Sequence, residues 1–510
     1  MELCDAYLYQ LTKIDPTLND FLSNVSYPKH IQPNVYSESY YQQIHKLNQD
    51  YLKLIQKKTQ KTRYDKLLRK DILYSIHLED DYEIFMYMPI DLYNNKLIDY
   101  VTECSGNGYY QFNQPSDYTH FMKRMKTLTP MTNEIILKMR DGIKHKITLY
   151  GKIVDAMIEQ IQTILKTKSY QPKKVSFKKK WDEHIQTYLV SNLNRLLSFL
   201  LNEYYPHSSQ QCGLQSYKKG KQYYRSILHN ELYNKCSPEY LHQFGKQELK
   251  RLNKEKKQLS LEKPKSTYTN KQQVLQELEK IQTKIIKLNQ SLFDKKVSFY
   301  KIRSAPKERE HSVAYYERSL SKKKGTFYIN TTDVSKWNPY ELLVLSLHEG
   351  FPGHHYELEY HKDKDSPKYM KLWMNHGYSE GWAFYAEHLY PYKKDHYYFY
   401  KLEYDILRTL RLVIDTGIHY FGWDYLTCFQ YMKENSSMKE DIIHKELLRY
   451  LCLPGQALSY KVGGSIFLYL RELCLKKGYS IKDYHKLVLS LGPCSLEDLV
   501  SYVHQFLQIS

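Results

Sequence analysis

The chain has 510 residues, of which 42% are hydrophobic, with 75 Lys and Arg against 56 Asp and Glu and a formal net charge of +19. That length holds two or three ordinary domains, or one large enzyme with an N-terminal and a catalytic half, and the apolar content permits a sizeable core. The positive charge is spread along the chain, in clusters such as Lys178-Lys179-Lys180 and Lys322-Lys323-Lys324, with no Arg/Gly-rich tail and no familiar nucleic-acid motif, so it reads as a solvated basic surface and argues against a specific nucleic-acid partner.

The N-terminus, Met1-Glu2-Leu3-Cys4-Asp5-Ala6-Tyr7, lacks the basic start and apolar core of a signal peptide, and no apolar run reaches membrane-spanning length. The eight Cys are scattered without a C-x-x-C pair, as free thiols are. These features predict an intracellular, cytoplasmic protein that engages no membrane. Helical periodicity dominates the chain: Val274, Leu275, Leu278, Ile281, Ile285, Ile286 and Leu292 recur at near-helical spacing between Lys and Gln. The Lys-rich stretch 254–271, with Pro264 and Thr267-Tyr268-Thr269-Asn270 near its end, reads as a loop between helices. It is the predicted boundary between an N-terminal helical half, 1–270, and a catalytic half, 271–510, packed as one integrated unit. Strand character is confined mainly to Val297-Ser298-Phe299-Tyr300 and Thr326-Phe327-Tyr328-Ile329-Asn330. A strand placed just before a metal-bearing helix can offer its edge to an extended substrate, or can be an ordinary structural hairpin.

The next segment is His348-Glu349-Gly350-Phe351-Pro352-Gly353-His354-His355, at the end of a helix predicted over 341–349. Two neutral imidazoles and a carboxylate fill three zinc positions and leave the fourth for a water whose pKa falls toward neutrality. In the H-E-x-x-H motif the two His lie at i and i+4, on one helical face. Here i+4 is Pro352, which cannot ligate and whose ring clashes with the carbonyl of His348 in a regular helix. On a straight helix His354 would point about 120° away, and His355 would align but lie about 10 Å along the axis. A bulge over Phe351-Pro352-Gly353 that absorbs two residues brings His354 to the usual second-ligand position, and we favour it over His355. Glu349, beside the first ligand, is the expected general base for the attacking water and later proton donor to the leaving group.

Further along, Ser379-Glu380-Gly381-Trp382-Ala383-Phe384-Tyr385-Ala386-Glu387 adds a carboxylate-rich helix, and Arg411, Asp415 and His419 fall at i, i+4 and i+8 on one face. Arg411 with Asp415 reads as a structural ion pair, and His419 as a second donor to the reacting groups or a partner of a ligand. No Cys lies near 348–387 to close a structural zinc site, which favours an open, catalytic one.

These runs carry a family resemblance. His-Glu-x-x-Pro-Gly-His-His at 348–355, Glu-Gly-Trp-Ala-x-Tyr-Ala-Glu at 380–387, the run Arg411–His419 and the run Pro454–Gly463 resemble those of the bacterial family DUF885, a group of predicted zinc metallopeptidases. Weaker likeness extends through Gly213 to Tyr224 and Gly325 to Asn330. More distantly the layout resembles carboxypeptidase Taq, thimet oligopeptidase and angiotensin-converting enzyme. The resemblance implies a mainly α, large helical zinc-peptidase-like fold with a deep cleft and a small β-sheet or hairpin near the active site. It implies Glu380 as the third zinc ligand, by likeness to the glutamate helix of aminopeptidase N-type enzymes, and Tyr460 as a donor to the oxyanion, against the alternative of a packing Tyr in a chain with 52 of them.

The sequence therefore predicts a zinc-dependent peptidase with His348, His354 and Glu380 on Zn2+, Glu349, Tyr460 and His419 in catalysis, and a peptide as substrate. Two alternatives stay open: a metallohydrolase acting on a non-peptide amide or ester, and a basic binding protein whose metal site is structural or vestigial.

Overall fold

A computed structural model describes residues 2–509 apart from 23–26, 82–83, 173–174, 234, 297, 307–312, 319–323, 362–365 and 374, so Val297, Lys322 and Lys323 lie outside the described residues. The chain is mainly helical with a small three-stranded sheet. Helix starts carry the side-chain oxygens that satisfy the free N–H groups of a first turn: Ser37, Ser237, Asn270, Asn338, Asn375 and Asp395 each accept from a backbone N–H two or three residues on.

Two compact units result, Met1–Tyr223 with Ser366–Trp373, and Tyr224–Asp365 with Met374–Ser510. In the first, Cys4, Tyr7, Leu8, Ile55, Leu68 and Ile72 form a shared core. The returning segment Ser366–Trp373 is fastened there by Tyr369, whose N–H donates to Asp5 (3.0 Å) and whose hydroxyl donates to Asp71 (2.7 Å). Buried Arg124 pairs with Asp20 at 2.7 Å and lies over the Tyr110 ring.

The second unit is built on two long helices. Pro238–Leu259 lies along His396–Thr416, with Leu249 and Leu252 against Leu402, Ile406 and Leu410. Glu255 on the former accepts from the Tyr398 hydroxyl on the latter, and the helix runs on to Leu259, which packs against the same core. Only residues 260–270 are left as a loop, and the whole stretch 254–271 lies inside the second unit. The break falls instead between Tyr223 and Tyr224, within the helix Gly220–Glu231, where no change of composition marks it. The helix Lys271–Asn289 buries Val274, Leu278, Ile281 and Ile285, as their spacing predicts.

The sheet comprises β1 (Lys301–Ser304), β2 (Ala314–Glu317) and β3 (Thr326–Ile329) in the order β1-β3-β2. β3 runs parallel to β1, with Thr326 opposite Lys301, and antiparallel to β2, with Ile329 opposite Ala314. Residues 298–300 lead into β1 and are not themselves a strand. β3, with Phe327 and Ile329 fully buried, is paired on both sides, so the strand expected to offer an edge to substrate has none free.

Candidate metal centre

His348 sits in the last turn of the helix Pro339–Glu349, which starts with Pro339 in its first turn and Asn338 as its cap. The helix stops at Glu349. The next four residues form a turn containing a cis Phe351-Pro352 bond, and a new helix, His354–Tyr360, starts directly with the second His. The expected bulge is therefore a complete break and restart. Its tightness explains Gly353: a Cβ there would stand 1.9 Å from the carbonyl oxygen of His348. Trp382 holds the turn from the facing helix by donating its indole N–H to the Pro352 carbonyl at 2.9 Å.

The third residue, Glu380, lies on the helix His376–Glu387, which crosses Ser459–Lys476 at glycines. A Cβ on Gly381 would stand 2.5 Å from Gly463 Cα, and one on Gly463 only 2.0 Å from the Gly377 carbonyl oxygen. This close crossing sets Glu380 and Tyr460 on neighbouring backbones, one and three residues ahead of those glycines.

One ligand atom each from His348, His354 and Glu380 lies within 4.8 Å of the others, the one such cluster of three His, Cys, Asp or Glu groups among the described residues. Both imidazole Nε2 atoms face Glu380 Oε2, His348 at 3.3 Å and His354 at 3.4 Å, with the rings nearly perpendicular and 4.9 Å apart. Donors bound about 2.0–2.1 Å from a tetrahedral zinc stand about 3.3–3.4 Å from one another, so the spacing fits that ion. Glu380 Oε2 is buried and makes no hydrogen bond among the described residues, although two ring nitrogens approach it. An orphaned carboxylate oxygen facing two imidazoles is a donor set that could hold a cation.

The other nitrogen of each ring is occupied. His348 Nδ1 lies 2.8 Å from Glu387 Oε1, which also accepts from Arg408 Nη2 at 2.6 Å, and all three side chains are buried. His354 Nδ1 faces Ser379 Oγ at 3.4 Å, and Ser379 in turn reaches Glu357 Oε2 at 3.4 Å. Such partners fix the ring orientation and leave the Nε2 lone pair for a metal.

Electrostatics agree with the geometry. Burial opposes charge on His354, but Glu380 beside it, with Glu349 and Glu357 nearby, holds its pKa up at about 9. Burial likewise works against His348, where Glu380 and Glu387 prevail and raise it. Burial pushes against ionisation of Glu380, yet the two imidazoles hold it well below the usual carboxylate range. Burial lifts the Glu357 carboxyl to about 7 despite His354 and Ser379. A divalent cation at this point would supply the positive charge that the surrounding carboxylates favour, and its binding would compete with protonation of the imidazoles.

The remaining predicted residues fall as follows. Glu349 ends the His348 helix and is half-buried. Tyr460 stacks on the His348 ring at 6.0 Å with 17° between planes, lies under Arg411 (4.6 Å) and Arg408 (5.7 Å), and its hydroxyl has no hydrogen-bond partner among the described residues. Burial first, and Glu380 next, push its pKa up to about 12 against the arginines. His355 points away: its ring nitrogens reach Tyr316 Oη and the Ser298 carbonyl, both at 2.8 Å. His419 stands outside the cluster, with Nε2 on the Tyr450 carbonyl at 2.9 Å and its ring stacked on Tyr224. The expected Arg411–Asp415 pair is not formed. Arg411 pairs with Glu446 at 3.2 Å, while Asp415 accepts from the Tyr224 hydroxyl (2.5 Å) and the Gly455 N–H (3.0 Å), and burial lifts its carboxyl to about 7.

Four residues at the site escaped the sequence reading: Glu387, Arg408, Ser379 and Glu357. Glu387 carried a usable signal, because i+7 from Glu380 returns to the same helical face within about 20°. Arg408 carried none, since its partner is 21 residues away on another helix.

The family described as "Bacterial protein of unknown function (DUF885)" matches residues 24–503. The chain belongs to this family. No curated protein matches it. Among solved structures, one from Colwellia psychrerythraea, described as a candidate lipoprotein, is similar at a TM-score of 0.85 and 18% identity, covering 99% of this chain and 98% of that one. Another from Shewanella oneidensis, described as a candidate lipoprotein of unknown function, is similar at 0.77 and 14%, covering 99% of each. At these identities the likeness establishes the fold. The descriptions of both neighbours overturn the cytoplasmic expectation, which rested on the residues at the start of the chain and is withdrawn. Among the described residues no helix is long and apolar enough to cross a membrane.

Proposed function

We propose that this protein is a zinc-dependent hydrolase of peptide bonds, with His348, His354 and Glu380 holding the metal. The observation that carries this reading is the convergence of two imidazole Nε2 atoms on the orphaned Glu380 Oε2, each ring held from behind through Nδ1. The side chains of His354 and Glu380 are 15% and 18% exposed and that of His348 only 6%, so two of the three donors keep some contact with solvent, as a site that takes a substrate requires. Zinc bound there would supply Lewis acidity to the scissile carbonyl and to the attacking water.

The chain's own residues do the rest. Glu349, next to the first ligand and outside the donor set, takes the water's proton and passes it to the leaving amine. Tyr460, flanked by two arginines and with its hydroxyl unengaged, donates to the oxygen on which charge develops. Glu387 and Arg408 keep His348 in the tautomer that presents Nε2. His419 has its Nε2 committed to a backbone carbonyl, so its part is to hold the Tyr224 and Tyr450 side of the unit.

The test is cleavage of a mixed peptide library by the zinc-loaded protein and by Glu349→Gln. We expect cleavage by the wild type and a loss of about 10²–10⁴-fold in Glu349→Gln with zinc retained. A zinc-loaded wild type that cleaves no peptide would refute the peptidase reading, and equal rates for the two proteins would remove Glu349 as the base.

A further inference from the structure

Away from the metal cluster, a groove of about 750 Å³ runs beside the helix Pro238–Leu259, with Tyr431 and Asn435 of the helix Tyr425–Asn435 among its lining. Lys246, Lys250, Lys254 and Lys257 line it, and no carboxylate does. Their spacing of four, four and three places them within an arc of about 80°, over about 16 Å of helix.

The other charges of this helix are paired. Arg251 bonds Glu248 and Glu255, both at 2.8 Å, Lys256 pairs with Glu403, and Glu248 also meets Lys461 at 3.1 Å. Among the described residues, none of the four groove lysines has an ion-pair partner, and all four are exposed. Lys246 is held over the Trp423 ring, 5.1 Å from its centroid. Like charges three and four residues apart repel, so a stripe kept free of acids on both walls is a device for an anion, and the groove is of ligand-pocket size.

We propose that this groove binds a phosphate-bearing polyanion. Charge density decides between phosphates and an acidic peptide. An extended peptide offers one side chain per face every 6–7 Å or so, hence about two or three carboxylates over the stripe. Two or three phosphate groups, each carrying about −1.5 to −2 as monoesters, match four ammonium groups in the same length. The Tyr431 hydroxyl and the second N–H of the Asn435 amide, whose first donates to the Tyr431 carbonyl at 2.9 Å, add neutral donors for phosphate oxygens. A soluble molecule and a lipid headgroup both offer this chemistry, and the experiment separates the two.

Inorganic tripolyphosphate is titrated calorimetrically into the full-length protein, into Lys250→Gln/Lys254→Gln and into a control, Lys178→Gln/Lys179→Gln, whose lysines are also exposed but lie in the other unit. Melting temperatures verify that all three are folded. We expect one site per chain, affinity that falls with salt, and a loss of about tenfold or more in the groove variant alone. Sedimentation with phosphatidylcholine vesicles, with and without phosphatidylinositol bisphosphate, identifies the source: capture that depends on both the phosphorylated lipid and Lys250 and Lys254 assigns a headgroup, and tripolyphosphate binding without capture assigns a soluble ligand. Absence of binding to both probes, an equal loss in the control variant, or hexaglutamate binding as tightly as tripolyphosphate would overturn the proposal.

Discussion

Tyr460 and Asp415 show how differently two titratable groups in this unit can be used. Tyr460 is stacked against the ring of one candidate ligand and covered by arginines, with its hydroxyl unengaged. Tyr460→Phe keeps the stacked ring, so if the hydroxyl serves the developing oxyanion, kcat should fall by about 10²-fold with KM and melting temperature nearly unchanged. A packing Tyr would instead leave kcat near wild type. Asp415, fully buried, has its carboxyl lifted to about 7, because burial outweighs the Tyr224 and Gly455 bonds. A carboxyl raised in the folded state contributes stability that is present in full below its unfolded pKa of about 4 and is lost as pH rises through about 7. Asp415→Asn cannot ionise. Its melting temperature relative to wild type should therefore climb between pH 5 and pH 8, measured by parallel thermal scans, and a flat difference would show that Asp415 ionises as an exposed carboxylate does.

At the scale of elements, the site depends on the glycine crossing between His376–Glu387 and Ser459–Lys476. Gly463→Ala puts a methyl 2.0 Å from a backbone carbonyl, which no side-chain rotation relieves. The helices must part, and we expect a loss of about 1–3 kcal/mol in denaturant unfolding with weaker zinc retention, since Glu380 rides on the displaced helix. Unchanged stability would mean that the crossing is looser than described. These elements also show what could be read in advance. The helix Lys271–Asn289 was legible because its apolar spacing is local, and the break at Pro352 because a proline ring has no place in that turn of helix. The exit and restart of the chain in four residues was not legible, since it relies on Trp382 holding Pro352 from 30 residues away. Nor was the paired state of β3, which depends on β2, a strand with no strong alternation of its own.

At the scale of the molecule, helical character and the DUF885 family followed from the sequence, whereas the division into units did not. Contacts between Pro238–Leu259 and His396–Thr416 carry the lysine-rich stretch into the second unit, and residues 150 apart leave no local mark of such packing. Function rests on a narrower base, the three donors drawn from two neighbouring helices and a third across from them. The most direct measurement is zinc content per chain, by elemental analysis after dialysis, for wild type, His348→Ala, His354→Ala, Glu380→Gln and His355→Ala. One zinc per chain is expected in the wild type and in His355→Ala, whose ring is committed to Tyr316 and Ser298, with most of it lost in the other three. A metal-free wild type, or full zinc retention in any of the His348, His354 and Glu380 variants, would contradict the assignment.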